Sequence, residues 1–354
     1  MKSLLKKKLP LIVGLDIGTR QIKAVLIEKT GDTYTLQGFA CEAITKVAFN
    51  EREIRDYEAV SLALKKVHNA LKAKTKLAAI AVSGTSVISK VVHMEPDQSD
   101  FELEGQIEIE ADSLIPYPLD EVYLDFEELG MSKTHSGKMD VLLSAAHKDL
   151  VDSRITLVRE VPLEPKVVDI EGNALGNALA RFYPAAEDER VCCINIGASL
   201  LQVCVWQDHK IVYSKEHNFG MSMLVQDISV IQMIERDEAE RQLLDKSLPA
   251  SWEQETLPIF TANLVQQINR ALQMYVSTTH AERPAKLVLA GGGATLPALV
   301  EALAQDLGLE IELFNPFAAM TINDKLDRQR LSQVAPQLAI AAGLASRSFN
   351  TWHI

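Results

Sequence analysis

The chain has 354 residues, 47% hydrophobic and 24% charged, an ordinary balance for a globular protein of about two domains. Its 36 Lys and Arg against 48 Asp and Glu give a net charge of −12, which argues against nucleic-acid binding by general charge attraction. The charge is concentrated: residues 95–128 carry 13 acidic side chains and no Lys or Arg, so the other 320 residues sum to +1.

No run of 18 apolar residues occurs, so no membrane-spanning helix is expected. The N-terminal apolar run, Leu9 to Leu15, is broken by Pro10 and closed by Asp16, with no small-residue cleavage site after it. It reads as a basic leader (Lys2, Lys6, Lys7, Lys8) entering a strand rather than a signal peptide. In chain order, strands are expected at 11–13, 22–29 and 33–43, the first two joined at Asp16-Ile17-Gly18-Thr19. A helix is expected over 56–72, with Val60, Leu64, Val67 and Leu71 on one face. A buried strand at 77–82 ends at Ser83-Gly84.

A second unit begins at residue 87. A strand at 87–94 precedes a helix carrying Phe101, Leu103, Ile107, Ala111, Leu114 and Ile115, which Pro116 and Pro118 end. Strands at 122–126 and 141–146, a polar loop over 130–138 and a helix at 148–160 complete a β-α-β-β-α unit. A strand then enters an Ala/Leu-rich helix over 167–179, and paired strands follow at 191–206. Helices are expected at 226–244, 259–277, 296–307 and 337–347, with a strand at 287–290. Cys41, Cys192, Cys193 and Cys204 lie in apolar, strand-like surroundings, and the adjacent pair should point to opposite faces. No zinc-type spacing is present, and the chain reads as cytoplasmic with reduced thiols.

The chain contains an internal repeat. At an offset of 179, Gly14–Val25 falls on Cys193–Cys204, placing Asp16 on Asn195, Ile17 on Ile196 and Gly18 on Gly197. A glycine at such a hairpin tip admits close backbone approach, and successive N–H groups can face a phosphate. An Asp just before it can hold a hydrated Mg²⁺. A third element, Gly291-Gly292-Gly293, ends a strand before a helix, with Thr295 as expected cap and Pro297 in the first turn. It is neither a dinucleotide fingerprint nor a P-loop.

These motifs occur in the order of the actin, sugar-kinase and heat-shock ATPase superfamily. Residues 11–28 resemble its first phosphate motif, 191–205 the second and 287–299 the adenosine motif. Residues 168–175 and 337–344 resemble its two connecting segments. The middle unit narrows the resemblance. Glu108-x-x-x-Asp112-Ser-Leu-Ile-Pro-Tyr-Pro-Leu-Asp-Glu-Val-x-Leu-Asp125-Phe, the stretch Val141–Lys148, Leu163–Glu171, Lys6-Lys-Lys and Asn315-Pro-Phe317 are similar to the PilM family of type IV pilus assembly proteins.

The resemblance implies an α/β, actin-like (ribonuclease H-like) two-domain fold with the inserted β-α-β-β-α subdomain shared by FtsA and PilM. It implies domain 1 at 1–85, subdomain 1C at 86–165, the rest of domain 1 at 166–189 plus 334–354, and domain 2 at 190–333. It implies ATP or ADP with Mg²⁺ near Asp16, Gly18, Thr19, Lys23, Asn195, Gly197, Ala198, Gly220, Gly291, Gly292 and Gly293. Asp16 would hold the metal, and Glu171 would position water. It also implies a cytoplasmic scaffold binding the N-terminal tail of PilN, linking it to the pilus motor ATPases, and meeting the inner membrane only through that partner.

The chain departs from the superfamily pattern at the nucleotide. Asn195 stands where Asp is usual, Arg20 and Gln21 follow Thr19, and Met221 follows Phe219-Gly220. Three readings stay open: hydrolysis, nucleotide binding without turnover, and a purely structural cleft. Weak or absent hydrolysis is the expectation. The acidic segment should attract a basic tail, with Leu114, Ile115, Tyr117 and Leu119 as anchors beside Glu108 and Asp112. The alternatives are an FtsA-like polymerising ATPase and a small-molecule kinase of the same superfamily.

Overall fold

The structure is a computed structural model that describes residues 10–132, 135–185, 189–207 and 210–349. The basic leader with Lys2, Lys6, Lys7 and Lys8 lies outside the described residues.

Strands β1 (Val13–Ile17), β2 (Gln21–Thr30) and β3 (Thr33–Ala43) form an antiparallel meander. A short hairpin of β4 (Phe49–Asn50) and β5 (Glu53–Ile54) leads into helix α1 (Tyr57–Leu71). Asp56 starts α1 by accepting a hydrogen bond from the Ala59 N–H at 2.9 Å, a normal N-cap. The helix buries Val60, Leu64, Val67 and Leu71, as its spacing predicts. Strand β6 (Leu77–Val82) pairs parallel to β1.

The inserted unit is β7 (Val87–Met94), α2 (Asp100–Leu114), β8 (Val122–Met131), β9 (Met139–His147) and α3 (Lys148–Val158). Its strands form an antiparallel sheet in the order β7-β9-β8. Leu103, Ile107 and Ala111 of α2 are buried with Val92, Val141 and Leu143 of the sheet. Helix α3 turns back, burying Leu157 and Val158 with residues of α1. Strand β10 (Glu164–Ile170) then joins β6 in parallel and runs into α4 (Glu171–Phe182).

The second half repeats the plan. Strands β11 (Val191–Ile196), β12 (Leu201–Gln207) and β13 (Lys210–His217) form a second meander. Helices α5 (Met221–Gln232), α6 (Arg236–Leu244), α7 (Trp252–Glu255) and α8 (Leu257–Thr279) follow. Strand β14 (Lys286–Ala290) pairs parallel to β11, and helix α9 (Pro297–Leu307) leads to β15 (Glu310–Leu313), parallel to β14. The order β3-β2-β1-β6-β10 of the first sheet thus matches β13-β12-β11-β14-β15 of the second. The chain returns through β16 (Thr321–Ile322), which pairs with β3, to α10 (Arg328–Val334) and α11 (Ala339–Ala345).

Four expectations change. The first strand runs over Val13–Ile17 rather than 11–13, so Asp16 and Ile17 lie inside it and not in the joint. The single helix expected over 226–244 is two, because Met233 takes a left-handed conformation with φ of 52°. The α-helical part of the expected 337–347 helix is shorter, with 3₁₀ turns at its two ends. Thr295 does not cap α9: its hydroxyl donates back to the Gly292 carbonyl at 2.7 Å, and Leu296 holds the cap position. Cys192 and Cys193 do face opposite ways, one in the core beneath α5 and α8, the other in the core around α4 and α11. All four thiols are free and buried, and burial pushes those of Cys192 and Cys204 up to about 12.

Helices α4 and α11 share one core with residues of both sheets, including Val25, Ala79, Cys193, Trp206 and Val288. Their approach requires small residues. A Cβ on Gly343 would lie 1.8 Å from the Ala174 carbonyl oxygen, and one on Gly14 would lie 2.0 Å from that of Ala341. Backbone cannot yield as a flexible side chain can. Gly343→Ala is therefore expected to destabilise the protein by about 3 kcal/mol, read as a lower urea midpoint. An unchanged midpoint would contradict this packing.

Candidate functional site

The two hairpins face each other across the halves, and their turns are built alike. The Gly18 N–H donates to the Gln21 carbonyl at 3.1 Å, and the Gly197 N–H to that of Leu200 at 2.9 Å. The repeat offset carries one bond onto the other. In the first hairpin, Asp16 and Lys23 are cross-strand neighbours, and the Lys23 ammonium lies 2.6 Å from the Asp16 carboxylate. In the second, Asn195 pairs with Gln202, and the Asn195 amide donates to Gln202 Oε1 at 2.7 Å. A neutral amide pair thus replaces an ion pair at matched positions. Burial opposes the Lys23 charge, but Asp16 raises its pKa above the ordinary value.

The Gln202 amide is fully committed. Its Nε2 donates to Glu171 at 2.9 Å and to Glu216 at 3.0 Å. Glu216 also accepts from the Gly84 N–H at 2.9 Å. Glu171 opens α4, where a carboxylate suits the helix dipole, and its other oxygen takes Arg52 at 2.5 Å. Arg52 also donates to Ser83. Arg154, buried on α3, donates to the Arg52 carbonyl at 3.0 Å, tying the inserted unit to this wall. Burial lowers its pKa to about 10.

Two further contacts join the halves. Arg20 donates to Glu240 of α6 at 2.7 Å. The hydroxyls of Thr19 and Ser199, one from each turn, stand 3.3 Å apart. Arg20, a departure in sequence, therefore has a role as an interdomain ion pair.

The glycines serve the chain's own close approaches. A Cβ on Gly220 would lie 2.6 Å from the Gly197 and Ala198 carbonyl oxygens. Those carbonyls accept from the Met221 and Ser222 N–H groups at 3.0 and 2.8 Å. Gly291, at φ +88°, sits where a Cβ would meet the Ile196 carbonyl at 2.5 Å and Asn195 Oδ1 at 2.6 Å. Gly293 packs on Ile196 and Met221, whereas Gly292 faces open space.

The structure thus brings Asp16, Gly18, Thr19, Lys23, Glu171, Asn195, Gly197, Ala198, Gly220, Gly291 and Gly293 together where the two hairpins meet. Sequence reasoning missed Arg52, Ser83, Ser199, Gln202, Glu216 and Glu240. Gln202 had a signal, since the 179 offset carries Lys23 onto it; the others have none in local pattern.

A model of the family described as type IV pilus assembly protein PilM matches residues 14–349. The chain belongs to the PilM family. A solved structure titled PilM-PilN type IV pilus biogenesis complex superposes with a TM-score of 0.83 at 22% identity, covering 97% of this chain and 99% of that one. The ethanolamine utilization protein EutJ from Carboxydothermus hydrogenoformans gives 0.56 at 15% identity, covering 95% and 89%. These likenesses establish the two-domain actin-like fold of this PilM-family chain.

In the inserted unit, Glu108 and Asp112 are exposed on α2, and Leu114, Tyr117 and Leu119 are half-buried against its core. Ile115, expected as an anchor, is itself core at 5% exposure. It follows the last turn of α2 as the next member of the buried Leu103-Ile107-Ala111 series.

Glu171 yields a pH prediction. Burial raises its pKa above the ordinary 4.5; Arg52 opposes this, and Asp16 and Glu216 reinforce it. The folded state therefore holds the proton more tightly. The stability this adds is fully present below about pH 4.5 and is lost as pH rises through the raised folded value. Glu171→Gln should flatten that part of the stability profile in chemical denaturation. Parallel wild-type and variant profiles would contradict it.

Proposed function

We propose that the chain is a scaffold of type IV pilus assembly that binds the cytoplasmic N-terminal tail of PilN. In this reading it works in the cytoplasm at the inner membrane, held there through PilN, and connects that tail to the pilus motor ATPases. The observation that carries it is the likeness, over nearly the full length of both chains, to the protein of the PilM-PilN complex. The acidic inserted unit supports it, because cytoplasmic tails of membrane proteins are rich in Lys and Arg. No helix among the described residues is long and apolar enough to cross a membrane.

For the cleft we propose weak binding of ATP or ADP without turnover. The side chains that would serve a nucleotide are engaged with one another. Asp16, the proposed Mg²⁺ ligand, is held by Lys23. Asn195 supplies an amide in place of a second carboxylate, and its donor is used on Gln202. A phosphate entering between the turns would have to part Thr19 from Ser199. Magnesium favours carboxylates and water at strict octahedral geometry, so this donor set fits it poorly.

Two experiments test these readings. Affinity for a synthetic PilN tail peptide should fall as salt shortens the screening length below about 8–10 Å. Affinity independent of salt would contradict the electrostatic part. Phosphate release from ATP and Mg²⁺ should stay at background in the wild type and in Asn195→Asp, where a third carboxylate would join Glu171 and Glu216 around Gln202 and face its Oε1. Sustained release that Asp16→Ala abolishes would contradict the non-hydrolysing cleft.

A further inference from the structure

Helix α2 carries two apolar faces. Leu103, Ile107 and Ala111 face the core, while Phe101 and Ile109, 85% and 72% exposed, stand on the opposite side. Phe101, Gly105 and Ile109 are four residues apart, so they line one stripe about 12 Å long.

Gly105 sits in the helix interior, where glycine is the least favourable residue after proline. A Cβ there would meet nothing within 4 Å, so no packing among the described residues excludes a larger residue. It leaves a notch between two large apolar side chains. One edge of the stripe is acidic: Glu104, Glu108 and Asp112 are exposed one turn apart. Like charges at that spacing destabilise a helix, and the last turn holds no basic residue to suit the dipole. Four unfavourable choices thus share one face: the exposed rings and chains, the glycine, the like charges and the acidic C-terminal end.

We propose that this face docks a basic segment of a partner protein. A bulky apolar side chain of that segment seats at Gly105 between Phe101 and Ile109, and its Lys or Arg residues flank Glu104, Glu108 and Asp112. Each of the four features then becomes favourable. The same face of a second copy is excluded as occupant, because it would set acidic rim against acidic rim. The face shares Glu108 and Asp112 with the PilN reading and extends it along α2, and its test leaves Leu114, Tyr117 and Leu119 unchanged.

The test uses two labelled model peptides, one of Lys and Leu at four-residue spacing, the other with Ser for Leu. Fluorescence anisotropy on the full chain should show the Lys/Leu peptide binding at least about 10-fold tighter. Phe101→Ser with Ile109→Ser should remove that advantage without lowering the melting temperature. Gly105→Ala should weaken binding while raising the melting temperature by about 1–3 °C. Equal binding of the Lys/Leu peptide by the double variant and the wild type would overturn the proposal. So would a lower melting temperature for Gly105→Ala, since the fold itself would then need the glycine.

Discussion

The architecture depends on two helices lying almost backbone to backbone between two sheets. Helix α4 begins where β10 leaves the first sheet, and α11 closes the chain beneath β1. Only glycine permits the spacing at two points: a Cβ on Gly14 would strike the Ala341 carbonyl, and one on Gly343 that of Ala174. This packing sets the cleft. It holds Glu171 at its floor, and it brings the turn before α11 close enough for the Pro336 carbonyl to accept from Gly291. The third glycine element is thereby fixed against the second hairpin.

On that frame the duplicated hairpins have diverged in charge but not in shape. Their turns keep the same hydrogen bond, while Asp16 with Lys23 becomes Asn195 with Gln202. The change is coherent. An amide at 195 donates to Gln202, which frees the Gln202 Nε2 to bridge Glu171 and Glu216. A carboxylate at 195 could not donate, so the residue that departs from the superfamily pattern is the one this network needs. Burial makes such bonds consequential, because a buried polar group left without a partner costs about 1–3 kcal/mol. The cleft is joined by side chains reaching from one half to the other, and Arg20 with Glu240 repeats the theme nearer the surface.

Much of the fold was legible because periodicity and punctuation agree. The 77–82 and 87–94 strands lie where they were expected, and the repeat offset recovered matching hairpins. Strand β13 was not foreseen, since Lys210, Lys215 and Glu216 on an exposed sheet edge dilute its apolar signal. The break at Met233 depends on a left-handed residue that sequence rarely marks. Helix α2 was located correctly, but Phe101 was grouped with its core residues although it is 85% exposed, and Ile109 was not singled out. Ile115 was taken for an anchor because it is apolar beside the acidic residues, although its spacing continues the buried face. Arg52, Glu216 and Glu240 reach the cleft through tertiary packing alone.

The inserted unit gathers most of the molecule's net charge beside a cleft whose own groups are paired. Family membership places the chain among the type IV pilus assembly proteins, and in the proposed reading the acidic unit selects a basic partner. The most direct measurement is co-purification of the intact chain with PilN, with and without its cytoplasmic N-terminal tail. The account predicts that full-length PilN is retained and the tail-deleted form is lost. A folded chain that fails to retain full-length PilN, or retains the tail-deleted form equally well, would contradict it.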